Sequence, residues 1–324
     1  MSTQFGQSGN QAPGCGFPVA RFLALFDVAT GFLMDVLSAP LRIHEMSRIA
    51  ELHPNLRAGD VLIGDRGFCS FAHIALLVQR GIHGLFRLHQ KLKFTTPGLS
   101  WSAVPDGVKY TNRRCSGRSL GRVLQRLGVS DHVVEWHRPK CPPAWMTAGQ
   151  FAGLPDVLSI RILSYDVIRP GYRTRQIRIM TTLLDGDLYP WNELAELYQR
   201  RWSVETNFAH IKITMQMDVL HCRTVDGVLK ELMVFALVYN LVRVVMVEAA
   251  RRQNVDPDRI SFVDAQRWLL SARPGDELVP LIVNPDRPRR VQPRVRKRRP
   301  KKYPLMQEPR SVLRKRLLSS RVAA

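Results

Sequence analysis

The order of apolar and polar positions predicts distinct secondary-structure elements along residues 1–89. Short apolar runs, helical periodicity and turn residues indicate a β-hairpin, a helix, a strand, a helix and a strand, in that order. The strand at 59–65 is a continuous apolar run, which indicates burial on both faces. This order of elements predicts an α/β domain with a mixed sheet. The five elements are expected at 19–37, 44–53, 59–65, 71–80 and 83–89.

Three further segments follow, and each has its own composition. Residues 90–189 are rich in Pro, Gly, Thr and Ser, and their alternating runs predict a β-rich insertion. Residues 190–283 are strongly helical, and residues 284–324 alternate Pro with clustered Arg and Lys, which predicts an extended or disordered basic tail. Strands are expected near 132–137, 157–167 and 174–184, and helices at 190–217, 225–252 and 262–271.

One apolar run in the helical segment resembles a membrane span in composition. Residues 232–242 carry no charge, but Lys230, Glu231 and Arg243 bracket them. A run this short falls below the ~20 residues that a bilayer requires. We therefore expect a buried helix and no membrane partner.

The helix predicted at 190–217 carries a stripe of four polar side chains. Tyr198, Arg201, Glu205 and Lys212 are spaced i, i+3, i+7 and i+14, which places them within about 60° of arc on a regular helix. Lys212 would lie about 10 Å along the axis from Glu205, beyond ion-pair distance. One carboxylate and several phosphate-binding groups in a row suit an extended anionic backbone. On spacing alone, an amphipathic helix with a charged flank is the simpler alternative.

The same four residues resemble a known signature. Their gaps match the Y-R-E-K signature of the insertion sequence 4 family of bacterial DDE transposases. Other segments are also similar to that family, so the resemblance covers nearly the whole chain. They are GCGFPVARFLALFDVATG at 14–31, GDRGFCSFAHIALL at 64–77, the run at 188–224 and KRRPKKYPLM at 297–306.

This resemblance implies a fold and a chemistry. The fold would be a ribonuclease H-like core of the retroviral integrase type, with the β-rich insertion placed before the final catalytic helix. Asp65 and Glu205 would be catalytic carboxylates holding two Mg²⁺ or Mn²⁺ ions, which suit hard oxygen ligands. Tyr198, Arg201 and Lys212 would contact DNA. The expected partners are transposon ends and target DNA, with a homodimer on the DNA and a cytoplasmic, nucleoid-associated location.

The sequence departs from the family pattern at the first catalytic aspartate. In the family this residue precedes the segment that corresponds to GCGFP, whereas the first acidic residue here is Asp27. Asp27 falls in the predicted hairpin turn and Asp35 in the second hairpin strand, so we assign neither to the triad. We expect an N-terminally truncated transposase with little or no strand cleavage, a core sheet with an unpaired edge and low stability.

Charge supports an anionic partner but does not identify the reaction. The chain has 48 Lys+Arg and 27 Asp+Glu, a formal net charge of +21. Residues 287–324 contain 15 basic residues and one acid, Glu308, so this segment carries +14 and the remaining residues carry +7. Such a tail predicts salt-sensitive attraction to DNA. The five scattered cysteines form no CxxC motif and are expected to be reduced thiols.

Two other functions remain open from the sequence. A non-catalytic DNA-binding transposase remnant would keep the basic residues without cleaving DNA. A metal-dependent nuclease would share Asp65 and Glu205 but would have no reason to carry Tyr198, Arg201 and Lys212 at these gaps. The predicted function is therefore a DNA transposase, with the non-catalytic remnant as the alternative.

Overall fold

A computed structural model describes residues 2–7, 17–88, 120–166, 176–285 and 308–322. The chain falls into two compact units, one formed by Met46–Val204 and the other by Met1–Glu45 with Glu205–Ala324. The strands are β1 (Ala20–Phe26), β2 (Leu33–Pro40), β3 (Val61–Gly64), β4 (His83–Arg87), β5 (Leu120–Gly128), β6 (Asp131–His137), β7 (Val157–Asp166) and β8 (Gln176–Thr181). The α-helices are α1 (Ser2–Phe5), α2 (Phe71–Gln79), α3 (Ala148–Ala152), α4 (Trp191–Gln199), α5 (Trp202–Ala209), α6 (Val225–Gln253), α7 (Phe262–Ser271) and α8 (Arg310–Val322).

A six-stranded mixed sheet organises the unit Met46–Val204. Its strand order is β3-β4-β8-β7-β6-β5. β3 and β4 run parallel, joined by α2, and the other neighbours are antiparallel. β8 pairs with β4, so the strands that follow residue 120 continue the sheet begun by β3 and β4. The predicted mixed α/β architecture is confirmed.

The two faces of this sheet bury different helices. On one face, Phe86, Ile160 and Met180 pack with α2 and α3 in one apolar cluster. On the opposite face, Leu85, Leu163 and Ile179 pack against α4. Side chains alternate along each strand, so one face supports the α2 crossover while the other positions α4.

Two glycines lie against the ring of Phe86 on the α2 face. A Cβ atom on Gly64 would lie 2.6 Å from Cε1 of Phe86, and one on Gly84 would lie 2.5 Å from its Cε2. Phe86 itself is fully buried. Any larger residue at either position would displace the ring. The absence of a side chain at both glycines therefore lets the Phe86 ring pack directly against the backbones of β3 and β4.

β3 is less buried than its sequence predicts. Among the described strands it forms one edge of the sheet, and all four of its residues are half-buried. Leu62 packs against the apolar cluster on the α2 face, and Val61 and Ile63 pack against the cluster under α4. Both faces are covered as expected, but only partly, because a continuous apolar run does not specify how many neighbours a strand will have. The expected unpaired edge of the sheet lies, among the described strands, at β3. The expected low stability stays a prediction.

The unit formed by Met1–Glu45 and Glu205–Ala324 contains the predicted hairpin. β1 and β2 pair antiparallel. In the connecting turn, Asp27 Oδ1 accepts hydrogen bonds from the backbone N–H and the hydroxyl of Thr30, at 2.7 and 2.5 Å. Gly31 has a φ of +71°, which favours glycine. Asp27 therefore closes a turn, as its sequence context indicates.

α6 packs one of its faces against this hairpin. The Tyr239 hydroxyl donates to the carbonyl of Gly31 at 2.9 Å, and the Asn240 amide bonds both backbone groups of Leu33. The buried guanidinium of Arg243 donates to the carbonyl of Thr30 and pairs with Asp258 at 3.1 Å. These bonds fix the helix to the hairpin turn.

The opposite face of α6 is exposed. By length and composition α6 could cross a membrane, since an 18-residue window of it has a mean hydropathy of 1.9. Of the residues in that window, 39% are buried. The expectation of a buried helix was right for one face only, because the hairpin and α7 cover one side. The absence of a membrane partner stays a prediction. The large apolar side chains of the exposed face are Met233, Val234, Leu237, Leu241 and Val244.

Two other expected elements differ in the structure. The helix expected at 44–53 consists of two 3₁₀ segments, Glu45–Ser47 and Ile49–Asn55, the second of which contains Pro54. Most of the basic tail lies outside the described residues, but Arg310–Val322 forms α8 instead of extended chain. Proline recurs only as far as Pro309, and the residues after it are mostly good helix formers.

Candidate active site at the carboxyl ends of β3 and β4

Asp65 and Arg87 leave the sheet at the same edge. β3 and β4 are parallel with Gly64 opposite Phe86, so Asp65 and Arg87 are the neighbouring residues at the carboxyl ends of the two strands. This is the edge where open α/β sheets place ligand-binding side chains. Asp65 is exposed, and its Oδ1 accepts the backbone N–H of Arg66 at 2.6 Å. The carboxylate is thereby fixed at the start of a 3₁₀ turn, Arg66–Phe68.

α4 brings Tyr198 to this edge. Ile63 and Leu85 contribute to the apolar cluster under α4, and Asp65 and Arg87 follow them by two residues on the same face. Tyr198 belongs to that cluster and is 5% exposed. The α4 helix therefore holds its tyrosine above the strand ends that carry Asp65 and Arg87.

The hydroxyl of Tyr198 is surrounded by charged groups. Burial raises the pKa of Tyr198; the nearby Asp65 carboxylate acts in the same direction, and Arg201 and Arg87 oppose it. The net pKa is above the ordinary value, so the hydroxyl stays protonated at neutral pH. Arg201 also forms a side-chain hydrogen bond with it. The structure thus brings three predicted site residues, Asp65, Tyr198 and Arg201, together in one unit.

Arg201 is held between two aromatic rings. Its guanidinium carbon lies 6.0 Å from the ring centre of Tyr198 and 5.4 Å from that of Trp202. Both distances allow cation–π attraction. A half-buried guanidinium ordered in this way loses little freedom when it binds a phosphate.

The helix that carries the signature is not continuous. α4 ends at Gln199 and α5 begins at Trp202, and the backbone N–H groups of Arg201, Ser203 and Val204 bond three residues back. The Ser203 hydroxyl also donates to the Arg200 carbonyl at 2.8 Å, competing with a regular helical bond. The expectation of one helix at 190–217 was wrong, so the single arc calculated for the four polar residues does not apply across this turn.

Glu205 and Lys212 belong to the other unit. Glu205 is exposed in the first turn of α5, where the helix dipole favours a carboxylate. Lys212 is exposed within a π-helical turn, His210–Thr214, and its Nζ lies 5.0 Å from the ring centre of Phe208. Phe208 packs edge-on against Phe26 of β1 at 5.4 Å. The chain passes from one unit to the other inside α5, between Val204 and Glu205.

Comparison with known proteins identifies the family. Residues 2–241 match the Transposase DDE domain family, which covers most of the chain. The chain belongs to the DDE transposase family. The resemblance inferred from the Y-R-E-K spacing is therefore confirmed, and the mixed α/β fold is consistent with a DDE transposase domain.

A curated relative gives the same assignment. The transposase InsG for insertion sequence element IS4 of Escherichia coli (strain K12) is 32% identical over 201 residues. The alignment covers 56% of this chain and 43% of that relative. This DDE transposase chain thus spans less than half the length of the relative it matches.

Two further side chains at this sheet edge were not singled out from the sequence. Arg87 has a signal that could have identified it, because it is the first charged residue after the apolar strand HGLF, as Asp65 is after VLIG. Tyr165 of β7 had no such signal, since strand pairing brings it to this face. Burial raises the pKa of Tyr165 to about 12; the neighbouring Tyr198 adds to the rise and Arg87 opposes it.

A second pair of arginines lies on the α2 face near Asp65. Arg178 of β8 is opposite Ser164 of β7, and its backbone carbonyl accepts the N–H of Leu88. Burial lowers the pKa of Arg178, and the neighbouring Arg66 guanidinium lowers it further. Two guanidinium groups this close make the surface beside Asp65 attractive to anions.

The described residues contain no group of three or more His, Cys, Asp and Glu side chains that could hold a metal ion. Asp65 and Glu205 nevertheless have the donor chemistry that Mg²⁺ and Mn²⁺ prefer, namely exposed carboxylate oxygens. Their role as metal ligands stays a prediction.

A buried histidine pair supports the loop after Asp65. His73 Nδ1 lies 2.8 Å from the carbonyl of Phe68 and must donate to it, so its Nε2 accepts from His53 Nε2 at 3.1 Å. Burial lowers the pKa of both rings to about 4. Burial also lowers the pKa of His210, which belongs to the other unit, to about 4.

These histidines predict that stability falls on mild acidification. Between pH 6.5 and about 4 the unfolded chain binds more protons than the folded chain, so stability is present above pH 6.5 and is lost as the pH falls. His73 alone should lower the free energy of unfolding by on the order of 1–2 kcal/mol between pH 7 and pH 5. Urea unfolding at the two pH values measures this. His53→Gln should reduce the pH effect, and an unchanged pH effect in that variant would refute the assignment.

Proposed function

We propose that this chain is the DNA transposase of an insertion sequence, which hydrolyses phosphodiesters at transposon ends and transfers strands to target DNA. Its membership of the DDE transposase family supports this function. The observation that carries the proposal is the meeting of Asp65, Tyr198 and Arg201 at the carboxyl edge of β3 and β4. The parallel β3-α2-β4 unit also supports a ribonuclease H-like core.

In this proposal, Asp65 and Glu205 hold divalent metal ions, Mg²⁺ or Mn²⁺. When bound, such ions activate water or a DNA 3′-hydroxyl and stabilise the leaving oxygen. Asp65 suits this role because it is exposed and fixed by the Arg66 N–H, and Glu205 because it projects from the first turn of a helix. Their assignment rests on the match to the family signature.

The remaining signature residues would bind and orient DNA. Arg201 offers a planar guanidinium for bidentate contact with a phosphate, and Lys212 offers a mobile point charge. The neutral Tyr198 hydroxyl donates a hydrogen bond to a phosphate oxygen without adding charge. These roles, a homodimer on the DNA and a cytoplasmic, nucleoid-associated location belong to the proposal.

Asp65 and Glu205 are the two carboxylates of this polypeptide that match catalytic positions of the family. Two carboxylates would hold the metal ions weakly, so we propose that this polypeptide binds DNA and cleaves it little. The alternative, a non-catalytic DNA-binding transposase remnant, would bind DNA without cleaving it under every condition.

A cleavage assay tests this proposal. Purified protein is incubated with Mg²⁺ and supercoiled DNA carrying the terminal repeats of the element, with Asp65→Asn and Glu205→Gln as matched controls. We expect retarded DNA in a gel-shift assay and nicking no faster than in either control. Nicking that both substitutions abolish would contradict the expected inactivity and exclude the remnant. Failure of the wild-type chain to bind DNA would contradict the transposase proposal itself.

A further inference from the structure

We propose that Arg87 and Tyr165 form a phosphate-binding subsite for DNA beside Tyr198, in addition to the signature residues. The inference rests on the proposed function, because it takes the ligand to be a DNA backbone. Neither residue belongs to the Y-R-E-K spacing, and they lie on different strands of the sheet. Strand register, burial and unmet hydrogen-bonding capacity support the subsite independently.

Strand register places both side chains on the face that α4 covers. Arg87 is opposite Ile179 of β8, and Ile179 is opposite Leu163 of β7. Tyr165 follows Leu163 by two residues and therefore shares its face. Arg87 and Tyr165 are thus diagonal neighbours across β8, at the edge where Asp65 leaves β3. Tyr165, like Tyr198, packs in the apolar cluster beneath α4.

Arg87 lacks the partner that a half-buried guanidinium normally has. Among the residues that the structure describes it makes no ion pair, although Arg161 and Arg243 of the same chain each pair with an aspartate. Tyr165 and Tyr198 lie close enough that the charge of Arg87 acts to lower their pKa values. A partly desolvated cation that forms no ion pair is unfavourable, and a bound phosphate would supply one.

Tyr165 has a hydrogen-bonding group that the described chain does not satisfy. Its side chain is 8% exposed, and its buried hydroxyl has no hydrogen-bond partner in the described part of the protein. A buried donor of this kind is rare unless a ligand or solvent completes it. Burial raises the pKa of this phenol to about 12, so it is a neutral donor at neutral pH.

Together these groups fit a phosphodiester. The guanidinium of Arg87 supplies charge and two parallel donors, and the Tyr165 hydroxyl supplies a third donor from the apolar side of the site. The neutral hydroxyls favour a group with a single negative charge, as each backbone phosphate of DNA carries. Inorganic phosphate has the same chemistry, so the test compares the two.

Arginine-specific labelling with phenylglyoxal, read by peptide mass spectrometry, tests the subsite in the full chain. We expect a 20-base-pair duplex to reduce labelling of Arg87 by about fivefold or more, as for a residue held in a direct phosphate contact. Inorganic phosphate at the same total phosphate concentration should protect it far less. Arg57 is the matched control, because it is exposed and precedes β3, at the opposite end of that strand from Asp65.

The outcomes separate this inference from the proposed function. Protection of the tail arginines without protection of Arg87 would overturn the subsite and leave DNA binding intact. Protection of no arginine would overturn the DNA-binding function itself. Equal protection by inorganic phosphate and by duplex would overturn the assignment to DNA.

Two variants provide a second measurement by fluorescence anisotropy with the same duplex. Arg87→Gln should lower the slope of log K against log salt concentration by about 1, because one phosphate contact is lost. Tyr165→Phe should weaken binding about 3- to 10-fold at a salt concentration that screens the tail, with no change in slope. Unchanged affinity of Tyr165→Phe, or an unchanged slope for Arg87→Gln in a folded protein, would overturn the proposal.

Discussion

Removing seven positive charges from the tail should make DNA binding less sensitive to salt. The slope of log K against log salt concentration should become shallower by about 3 to 6. Each Lys or Arg that neutralises a phosphate releases counterions, and each contact contributes about 0.9 to that slope. Between 50 and 200 mM salt the wild-type chain should therefore lose about 60- to 4,000-fold more affinity than the variant. Anisotropy titrations at several salt concentrations measure the slope. The variant replaces with Gln the residues Arg294, Arg296, Lys297, Arg298, Arg299, Lys301 and Lys302.

A charge-preserving variant is the control for this experiment. Replacing the four arginines of the same stretch with Lys should leave the slope unchanged, because counterion release depends on the number of charges. If the Gln variant kept the wild-type slope, the mildly basic body of the chain would have to supply the phosphate contacts, and the role assigned to the tail would be wrong.

Arg161→Met should lower the free energy of unfolding of the unit Met46–Val204 by about 3–5 kcal/mol. Arg161 is 1% exposed and binds both carboxylate oxygens of Asp131, with the Nε to Oδ1 distance at 2.8 Å. Its Nη1 donates to the carbonyls of Asp185 and Tyr189 at 3.1 and 2.7 Å. Without the guanidinium, a mostly buried carboxylate and two carbonyls lose their partner. Urea denaturation followed by circular dichroism measures the loss.

The double variant Arg161→Met with Asp131→Leu distinguishes an unpaired charge from lost packing. Replacing both members of a buried ion pair by apolar groups is often close to neutral, so the double variant should recover more than half of the lost stability. A double variant as unstable as Arg161→Met would indicate that the hydrogen bonds to Asp185 and Tyr189 dominate. Those bonds hold the loop that leads into α4, and through it they position Tyr198.

Several elements were predictable because a local pattern decides them. α7 begins and ends where its apolar periodicity indicated, with Ser261 accepting the N–H of Asp264 as its N-cap. α2 begins one residue after Ser70, whose side chain accepts the N–H of His73. The hairpin turn follows from Asp27, Thr30 and Gly31. In each case the residues that determine the element are close together in the chain.

The predictions failed where distant contacts decide the structure. The continuous helix at 190–217 breaks at Arg200 and Arg201, although its polar and apolar spacing is regular. The apolar run of β3 gave no sign that this strand would form an edge. α6 buries one face because the hairpin and α7 reach only one side of it. Hydropathy along the chain records which residues can be buried, but the number of neighbours depends on the tertiary fold.

By itself, the sequence determined the family of this DDE transposase, because covalent spacing is enough to match a signature, and it predicts Asp65, Tyr198, Arg201, Glu205 and Lys212 as site residues. It also determined that the positive charge is concentrated in the tail. Only the tertiary structure decided that Asp65, Arg87 and Tyr198 meet at one sheet edge and that Tyr165 joins them from another strand. The physical reason is strand pairing: hydrogen bonds between β4, β8 and β7 join segments far apart in the chain, and no local pattern encodes which strands will pair.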